Sequence, residues 1–175
     1  MIGTLKLEPA LSRLDLLAAP VAAALGGLQE VLVAPIDADL ADTAAFCEAY
    51  GVGLEISANC VIVAGRRGET TRYAACVVLA TTRADVNGVV RRHLDARKAS
   101  FAPMDDAVRL TGMEYGGITP IGLPSSWPVL VDSRVVAMPH VIIGSGVRHS
   151  KIAIAGAALG AMVGVEVIEG LARDA

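Results

Sequence analysis

Two long apolar runs rich in β-branched residues flank one polar turn, and this feature limits the fold most. The runs are Leu54–Ala64 and Thr70–Ala80, and Gly65-Arg-Arg-Gly68 lies between them. Two such runs joined by a short glycine-containing connection predict a β-hairpin. Only 3% of the 175 residues are aromatic and 54% are hydrophobic, so the core around the hairpin must consist mostly of Ala, Val, Leu and Ile. Intrinsic disorder is excluded, because it requires low hydrophobicity and high net charge.

Helices and strands are mixed along the rest of the chain. Helices are predicted at 11–25 (kinked or split by Pro20), 43–50 (ended by Gly51), 85–94, 103–110 and 157–162. Strands are predicted at 30–34, 98–102, 129–131, 135–137, 141–143, 151–154 and 163–168. This order favours a mixed α/β (α+β) fold around a curved sheet. The length of 175 residues favours a single domain.

The segment 111–126 is rich in glycine and proline. It carries Gly112, Gly116, Gly117, Pro120, Gly122 and Pro124. Such a composition predicts a long structured loop, and long loops in compact domains are often functional. Glycines allow backbone to approach a ligand closely, and exposed backbone N–H groups can bind an anion or a carbonyl oxygen.

Charge is unevenly distributed. The formal net charge of −3 and the few aromatic residues argue against a uniformly basic nucleic-acid binder and against a protein that stacks many bases. Residues 1–60 nevertheless carry two basic and eight acidic side chains, whereas residues 61–151 carry twelve basic and seven acidic ones. Nine basic residues fall in three windows: Arg66, Arg67 and Arg72; Arg91, Arg92, Arg97 and Lys98; Arg148 and Lys151. If these windows converge in space, they form a local anion site.

The sequence lacks the motifs that are typical of several function classes. The three cysteines have no C-x-x-C spacing, and the three histidines are dispersed, so neither a disulfide framework nor a metal site is expected. The Walker A, G-x-G-x-x-G and G-x-S-x-G motifs are absent. The apolar runs at 16–28 and 152–165 are too short to span a membrane. We therefore expect a cytoplasmic protein without membrane contact, metal or cofactor.

Four segments in order carry a family resemblance. They are Lys98-Ala-Ser-Phe-Ala, Ala107-Val-Arg-Leu-Thr-Gly-Met-Glu-Tyr-Gly-Gly-Ile-Thr-Pro-Ile-Gly-Leu-Pro124, Val129-Leu-Val-Asp132 and Ile143-Gly-Ser-Gly-Val-Arg-His-Ser-Lys151. Together they resemble the YbaK / prolyl-tRNA-synthetase-associated editing-domain family of aminoacyl-tRNA deacylases, over about residues 35–168.

The resemblance implies a partial barrel with flanking helices that hydrolyses the ester of a mischarged tRNA, held by its acceptor end, with water as the nucleophile. It implies catalytic roles for Lys98, Gly116, Gly117 and His149. The substrate-binding residues expected on the same basis are Thr119, Pro120, Gly122, Asp132, Gly144 and Ser145. The expected tRNA contacts are Arg91, Arg92, Arg97, Arg148 and Lys151.

Two departures keep alternatives open. Asn59-Cys60 stands where many members have Lys-Thr, and residues 1–34 match poorly, so we expect an N-terminal extension packed on an editing domain at 35–175. One alternative is a catalytically silent module that binds tRNA acceptor ends or a small molecule. Another is an unrelated hydrolase that uses Cys60 as nucleophile. The Ala-rich C-terminal segment also leaves a homodimer open.

Overall fold

The computed structural model describes residues 2–175. Its strands are β1 (Glu8–Pro9), β2 (Leu32–Pro35), β3 (Ala58–Arg67), β4 (Thr70–Leu79), β5 (Thr82–Ala84), β6 (Lys98–Phe101), β7 (Val129–Asp132), β8 (Val141–Gly144), β9 (Ser150–Ile154), β10 (Val165–Ile168) and β11 (Ala172–Asp174). Its α-helices are α1 (Ala19–Ala24), α2 (Thr43–Tyr50), α3 (Arg91–His93), α4 (Met104–Thr111), α5 (Ser133–Val136) and α6 (Gly156–Gly160). The predicted mixed α/β single-domain fold is confirmed.

The strands form three sheets. One has the order β10-β7-β4-β3-β6, the second β1-β2-β9-β8, and β5 pairs with β11 in the third. The strands described in residues 2–175 do not close into a barrel. The two larger sheets share one core, in which Val33 of β2, Val77 of β4, Val131 of β7 and Ile152 of β9 are fully buried. Val21 of α1 belongs to the same core.

The predicted hairpin is confirmed, with a shifted turn. β3 pairs with β4 from Ala58↔Leu79 to Arg67↔Thr70. Gly65 therefore lies inside β3, and the turn is Gly68-Glu69, where Gly68 has φ of +61°. A polar arginine can remain in a strand end that faces solvent, whereas the left-handed turn position favours glycine.

Helix α2 follows the sequence prediction. The Asp42 carboxylate accepts hydrogen bonds from the backbone N–H groups of Ala44 and Ala45, and Gly51 ends the helix at φ +66°. Both are standard helix termini. The buried face of α2 presents Phe46 and Cys47 to the core, which fixes the first residues of the helix near β3 and β9.

Three predicted elements differ in the structure. Residues 135–137 were expected in a strand, but they overlap helix α5, because the Asp132 side chain caps the Arg134 N–H at 2.8 Å. The expected helix at 11–25 is two 3₁₀ turns followed by α1, in whose first turn Pro20 lies. A proline is tolerated there because its missing N–H is not needed. The segment after Asp85 starts with a π-helical turn, Val86–Val90, before α3.

One edge of the hairpin is left open by the short partner strand. β6 pairs only with Val63–Arg66 of β3. The first half of β3 therefore lacks a neighbouring strand on that side within residues 2–175. An edge strand presents unpaired backbone N–H and C=O groups, and its successive side chains point to opposite faces of the sheet. A molecule beside this open edge can therefore contact both.

Candidate functional site

A cavity of about 240 Å³ lies against the open edge of β3. It is lined by residues of the α2 start, β3, the end of β6, α4, the glycine-rich loop, β8 and β9. Its walls include Asp42, Thr43, Asn59, Cys60, Ile62, Phe101, Ala107, Tyr115, Gly116, Ile118, Gly144 and Lys151. Elements from across the whole chain thus meet at one small, partly enclosed space.

Lys151 is the cation of this cavity. Its side chain comes from β9 and is only 7% exposed. The ammonium donates to the carbonyl oxygen of Ala41 at 2.9 Å and lies 5.1 Å from the ring centroid of Phe46. Burial lowers the pKa of the Lys151 ammonium below its usual 10.5, while the nearby Cys47 and Asp42 oppose that change. An ammonium has three donors, so donors remain for a bound molecule.

The glycine-rich loop supplies a second polar group, the backbone N–H of Gly116. Gly116 lines the cavity with φ of +93°. Its N–H donates to no acceptor among residues 2–175, whereas the N–H of Gly117 donates to the Glu114 carbonyl at 2.9 Å. Of the two glycines predicted to be catalytic, Gly116 alone therefore offers an uncommitted donor at the cavity wall.

Neighbouring contacts hold this loop in place. The Gly146 N–H donates to the Gly117 carbonyl at 2.6 Å, and the Glu114 N–H donates to the Gly146 carbonyl at 2.8 Å. A Cβ on Gly144 would lie 2.5 Å from the Gly117 carbonyl oxygen. The guanidinium of Arg148, a predicted tRNA contact, donates to the carbonyls of Tyr115 and Ala38 at 3.1 and 3.0 Å. Arg148 therefore holds the loop in place through these hydrogen bonds.

Asn59 and Cys60 occupy the open edge of β3. The Asn59 side-chain oxygen accepts a hydrogen bond from the Thr43 hydroxyl at 2.6 Å, which ties β3 to the start of α2. Burial raises the pKa of the Cys60 thiol well above its ordinary value. A thiol is nucleophilic as the thiolate, so the protonated Cys60 is a poor nucleophile and fits a wall residue better.

Several residues predicted to bind or react lie outside the cavity walls. Lys98 is exposed on β6, and His149 is exposed beside β9. Asp132 is buried and joins three elements, since it accepts from the N–H groups of Arg134 and Ala172 and from the Arg134 guanidinium. Ser145 is buried in a hydrogen-bond group with Ser150. Their functional roles stay predictions.

The remaining predicted residues pack near the loop or on the surface. Thr119 is fully buried, and its hydroxyl has no partner among residues 2–175. Pro120 is buried, and Gly122 packs against the Pro20 carbonyl. Arg92 and Arg97 are exposed, and Arg91 donates to the Asn87 carbonyl at 2.8 Å. Two of the basic windows meet, because Arg66 of β3 is opposite Lys98 of β6, while the third contributes the buried Lys151 of the cavity.

The family resemblance predicts roles for Gly116, Gly144 and Lys151 of the cavity wall, with Lys151 as a tRNA contact. It assigns no role to Thr43, Phe101 or Tyr115. Residues 2–175 contain no group of three His, Cys, Asp or Glu side chains placed so that they could hold a metal ion. In the described chain, no helix has both the length and the apolar character needed to cross a membrane.

Comparisons with known proteins place this cavity in a family context. Residues 37–161 match the sequence model of the aminoacyl-tRNA editing domain, a range that includes the whole cavity wall. No sequence match was found among curated proteins.

Solved structures share the fold. A structure described as a candidate trans-editing enzyme for prolyl tRNA synthetase superimposes with a TM-score of 0.75 at 21% identity, covering 90% of this chain and 97% of that one. A hypothetical protein gives a TM-score of 0.72 at 19% identity, covering 82% and 92% of the two chains. A candidate signal transduction protein from Marinobacter aquaeolei VT8 gives 0.56 at 18% identity, and the match covers 89% of this chain but 30% of that one.

At such low identities the superpositions establish the fold alone. The sequence match goes further, because residues 37–161 make up more than two thirds of the 175 residues. The chain belongs to the aminoacyl-tRNA editing domain family.

Proposed function

We propose that this protein is an aminoacyl-tRNA deacylase that acts in trans on mischarged tRNA, with the cavity beside β3 as its reaction site. The observation that carries the proposal is the meeting of the Gly116 N–H and the buried Lys151 ammonium at one small cavity. Family membership supports the reaction class. The name of one structural neighbour, a candidate trans-editing enzyme, supports action on tRNA released by a synthetase.

The size of the cavity suits an aminoacyl group. A volume of about 240 Å³ lies below the range of about 300–1,000 Å³ typical of pockets for drug-sized ligands. Ala107, Ile62 and Ile118 supply apolar wall surface, which a small amino-acid side chain can contact. Whole nucleotides would have to lie outside it.

The reaction needs a donor for the negative charge that develops on the ester carbonyl oxygen. A fixed backbone N–H aimed at that oxygen stabilises the transition state, and losing one such donor costs about 10²–10³-fold in kcat. Gly116 provides this N–H in our proposal. Lys151 adds a positive charge whose effect is strengthened by burial, since Coulomb interactions grow as the local dielectric falls.

Water serves as nucleophile, assisted by the free hydroxyl of the terminal ribose. Its oxygen bonds to the carbonyl carbon, the bond from that carbon to the ribose oxygen breaks, and the ribose oxygen takes a proton. The products are a free amino acid and uncharged tRNA. No thiolate is required, which agrees with the protonated state favoured for Cys60 by burial.

A panel of mischarged tRNAs tests the function. Purified protein should deacylate at least one member. Lys151→Met should abolish most of that activity, while Lys6→Met, which removes an exposed lysine outside the cavity, should retain the single-turnover rate at saturating enzyme. Absence of hydrolysis across the panel, with tRNA binding retained, would instead identify the catalytically silent binding module.

A further inference from the structure

A second, larger cavity adjoins the first across the open edge of β3. It is an open groove of about 680 Å³ on the other face of the hairpin. The two cavities share three wall residues, Asn59, Val61 and Phe101. A molecule whose reactive end enters the small cavity can therefore place its remainder in the groove.

The groove combines groups of three kinds. Phe101 lies at the end of β6 and is 63% exposed, whereas Phe46, the other phenylalanine, is buried. Val61, Val78 and Val86 form an apolar wall. Asn87 is exposed, and its side-chain amide makes no hydrogen bond among residues 2–175. An aromatic face with an adjacent free amide suits a planar ligand that has hydrogen-bonding edges.

Arg83 supplies an uncompensated positive charge at the same groove. It lies directly opposite Arg173 in the β5–β11 pair. Arg173 is neutralised by Asp85 at 2.7 Å, whereas Arg83 has no ion-pair partner in the described chain. The Arg83 guanidinium is therefore available to pair with a bound anion.

From these groups we propose that the groove binds the terminal adenosine nucleotide of the tRNA, with its base stacked on Phe101. In this arrangement the Asn87 amide binds the adenine edge, a geometry that asparagine adopts with adenine N6 and N7. Arg83 lies near the phosphate. The groove volume of about 680 Å³ falls in the range of about 300–1,000 Å³ that such ligands occupy. This inference rests on the proposed function, because it locates the nucleotide next to the ester.

The test compares two substrates that carry the same amino acid. One is the mischarged tRNA that the wild-type protein hydrolyses fastest, and the other is the methyl ester of that amino acid, which has no nucleotide. Phe101→Ala should lower the ratio of kcat/KM for tRNA to that for the methyl ester by about 5- to 150-fold, the range for one lost stacking contact. Phe101→Trp should keep the ratio, because the stacking face remains. The matched control Leu11→Ala removes an apolar side chain that is 70% exposed and lines neither cavity, so it should keep both rates.

AMP binding gives a readout that does not depend on hydrolysis. NMR titration of the wild-type protein with AMP should shift the signals of the Phe101 ring and the Asn87 side-chain amide, and Arg83→Gln should weaken the binding. No shift at either group overturns the assignment. Shifts with AMP but an unchanged substrate ratio in Phe101→Ala also overturn it, since the groove would then hold a free nucleotide. If mischarged tRNA is not hydrolysed at all, the proposed function fails while AMP binding still reports on the groove.

Discussion

At the scale of single residues, Lys151 shows how burial gives an ordinary side chain a special role. Its side chain is only 7% exposed, and its ammonium donates to the Ala41 carbonyl and lies over the Phe46 ring. Desolvation penalises the charged form of such a group. In the proposed reaction, this charge would interact strongly with the ester carbonyl, because the surroundings of Lys151 screen it less than water does.

This cost makes stability depend on pH. Because burial lowers the Lys151 pKa below 10.5, the unfolded chain binds more protons than the folded protein between the lowered pKa and 10.5. The Lys151 contribution to the free energy of unfolding should therefore rise with pH in that window. Urea unfolding of the wild type and of Lys151→Met at a series of alkaline pH values measures this contribution. The free energy of unfolding of the wild type minus that of the variant should rise with pH. The exposed Lys98→Met is the control, and a pH-independent difference for Lys151→Met would contradict the burial argument.

Gly116 and Gly68 allow a matched comparison of backbone strain with function. Both have positive φ, +93° and +61°, so alanine costs about 1–2 kcal/mol of stability at either site. A Cβ at Gly68 meets nothing within 4 Å, whereas one at Gly116 lies 2.5 Å from the Arg148 guanidinium and must displace it. We therefore expect a larger loss in Tm for Gly116→Ala than for Gly68→Ala. Alanine keeps the N–H at position 116 but disfavours the φ that orients it, so kcat should fall by up to about 10²–10³-fold for Gly116→Ala alone. Equal activity in both variants would remove Gly116 from the mechanism.

At the scale of secondary-structure elements, Asp132 links the end of β7 to α5 and β11. Its two oxygens accept from the Arg134 and Ala172 N–H groups at 2.8 and 2.9 Å. Asp132 is 1% exposed and does not line the cavity. Its geometry therefore favours a structural part, although sequence resemblance predicts substrate binding.

Asp132→Asn separates the two possibilities. The amide nitrogen of asparagine cannot accept from the Ala172 N–H, and an unsatisfied buried group costs about 1–3 kcal/mol. Thermal unfolding should show a lower Tm, while deacylation per folded molecule should keep its kcat and KM. A large rise in KM without a change in Tm would restore the predicted substrate contact.

Local signals explain which elements the sequence predicts well. Asp42 and Gly51 mark both ends of α2, and the runs around Gly68 mark the hairpin, since these signals act over a few residues. The segment at 135–137 is mispredicted because its β-branched residues favour a strand, while the capping Asp132 starts a helix. The short strands β5 and β11 pair across 88 residues between Ala84 and Ala172, and neither has a pattern long enough to predict it.

The candidate site is harder to predict because its residues come from distant parts of the sequence. The glycine-rich loop marks Gly116 through its composition. The burial of Lys151, however, depends on the Ala41 carbonyl, 110 positions away, and on Phe46. In the sequence, Lys151 stands beside Arg148 and His149 and resembles a surface cation. Which basic residue is buried is therefore decided by tertiary packing.

At the scale of the whole molecule, the charge distribution suits a tRNA end. Exposed basic residues lie on the hairpin and β6, where Arg66 and Lys98 are directly opposite each other. Neither forms an ion pair in the part of the chain that the structure describes, residues 2–175. Arg66 is four residues along β3 from Ile62 of the cavity wall, which corresponds to about 13 Å at roughly 3.3 Å per residue.

Salt dependence should report these contacts. Each phosphate neutralised on a single strand contributes a slope of about −0.7 to the logarithm of affinity against the logarithm of salt concentration. The double variant Arg66→Gln, Lys98→Gln should reduce the magnitude of the slope for tRNA binding by about 1.4. Filter binding at several salt concentrations measures this, with Arg109→Gln on α4 as control. An unchanged slope in the double variant would place the phosphates elsewhere.

The single-turnover rate of deacylation tests whether Lys151 acts on the reacting ester in the cavity. Saturating enzyme is mixed with the mischarged tRNA that the wild type prefers, so that the rate reports the step inside the cavity. Lys151→Met should slow this step by about 10²-fold, the loss typical of one electrostatic contact to the reacting oxygen, and Lys6→Met, at an exposed lysine outside both cavities, should leave it unchanged. A Lys151→Met variant that folds and hydrolyses at the wild-type rate would contradict the proposed role of Lys151.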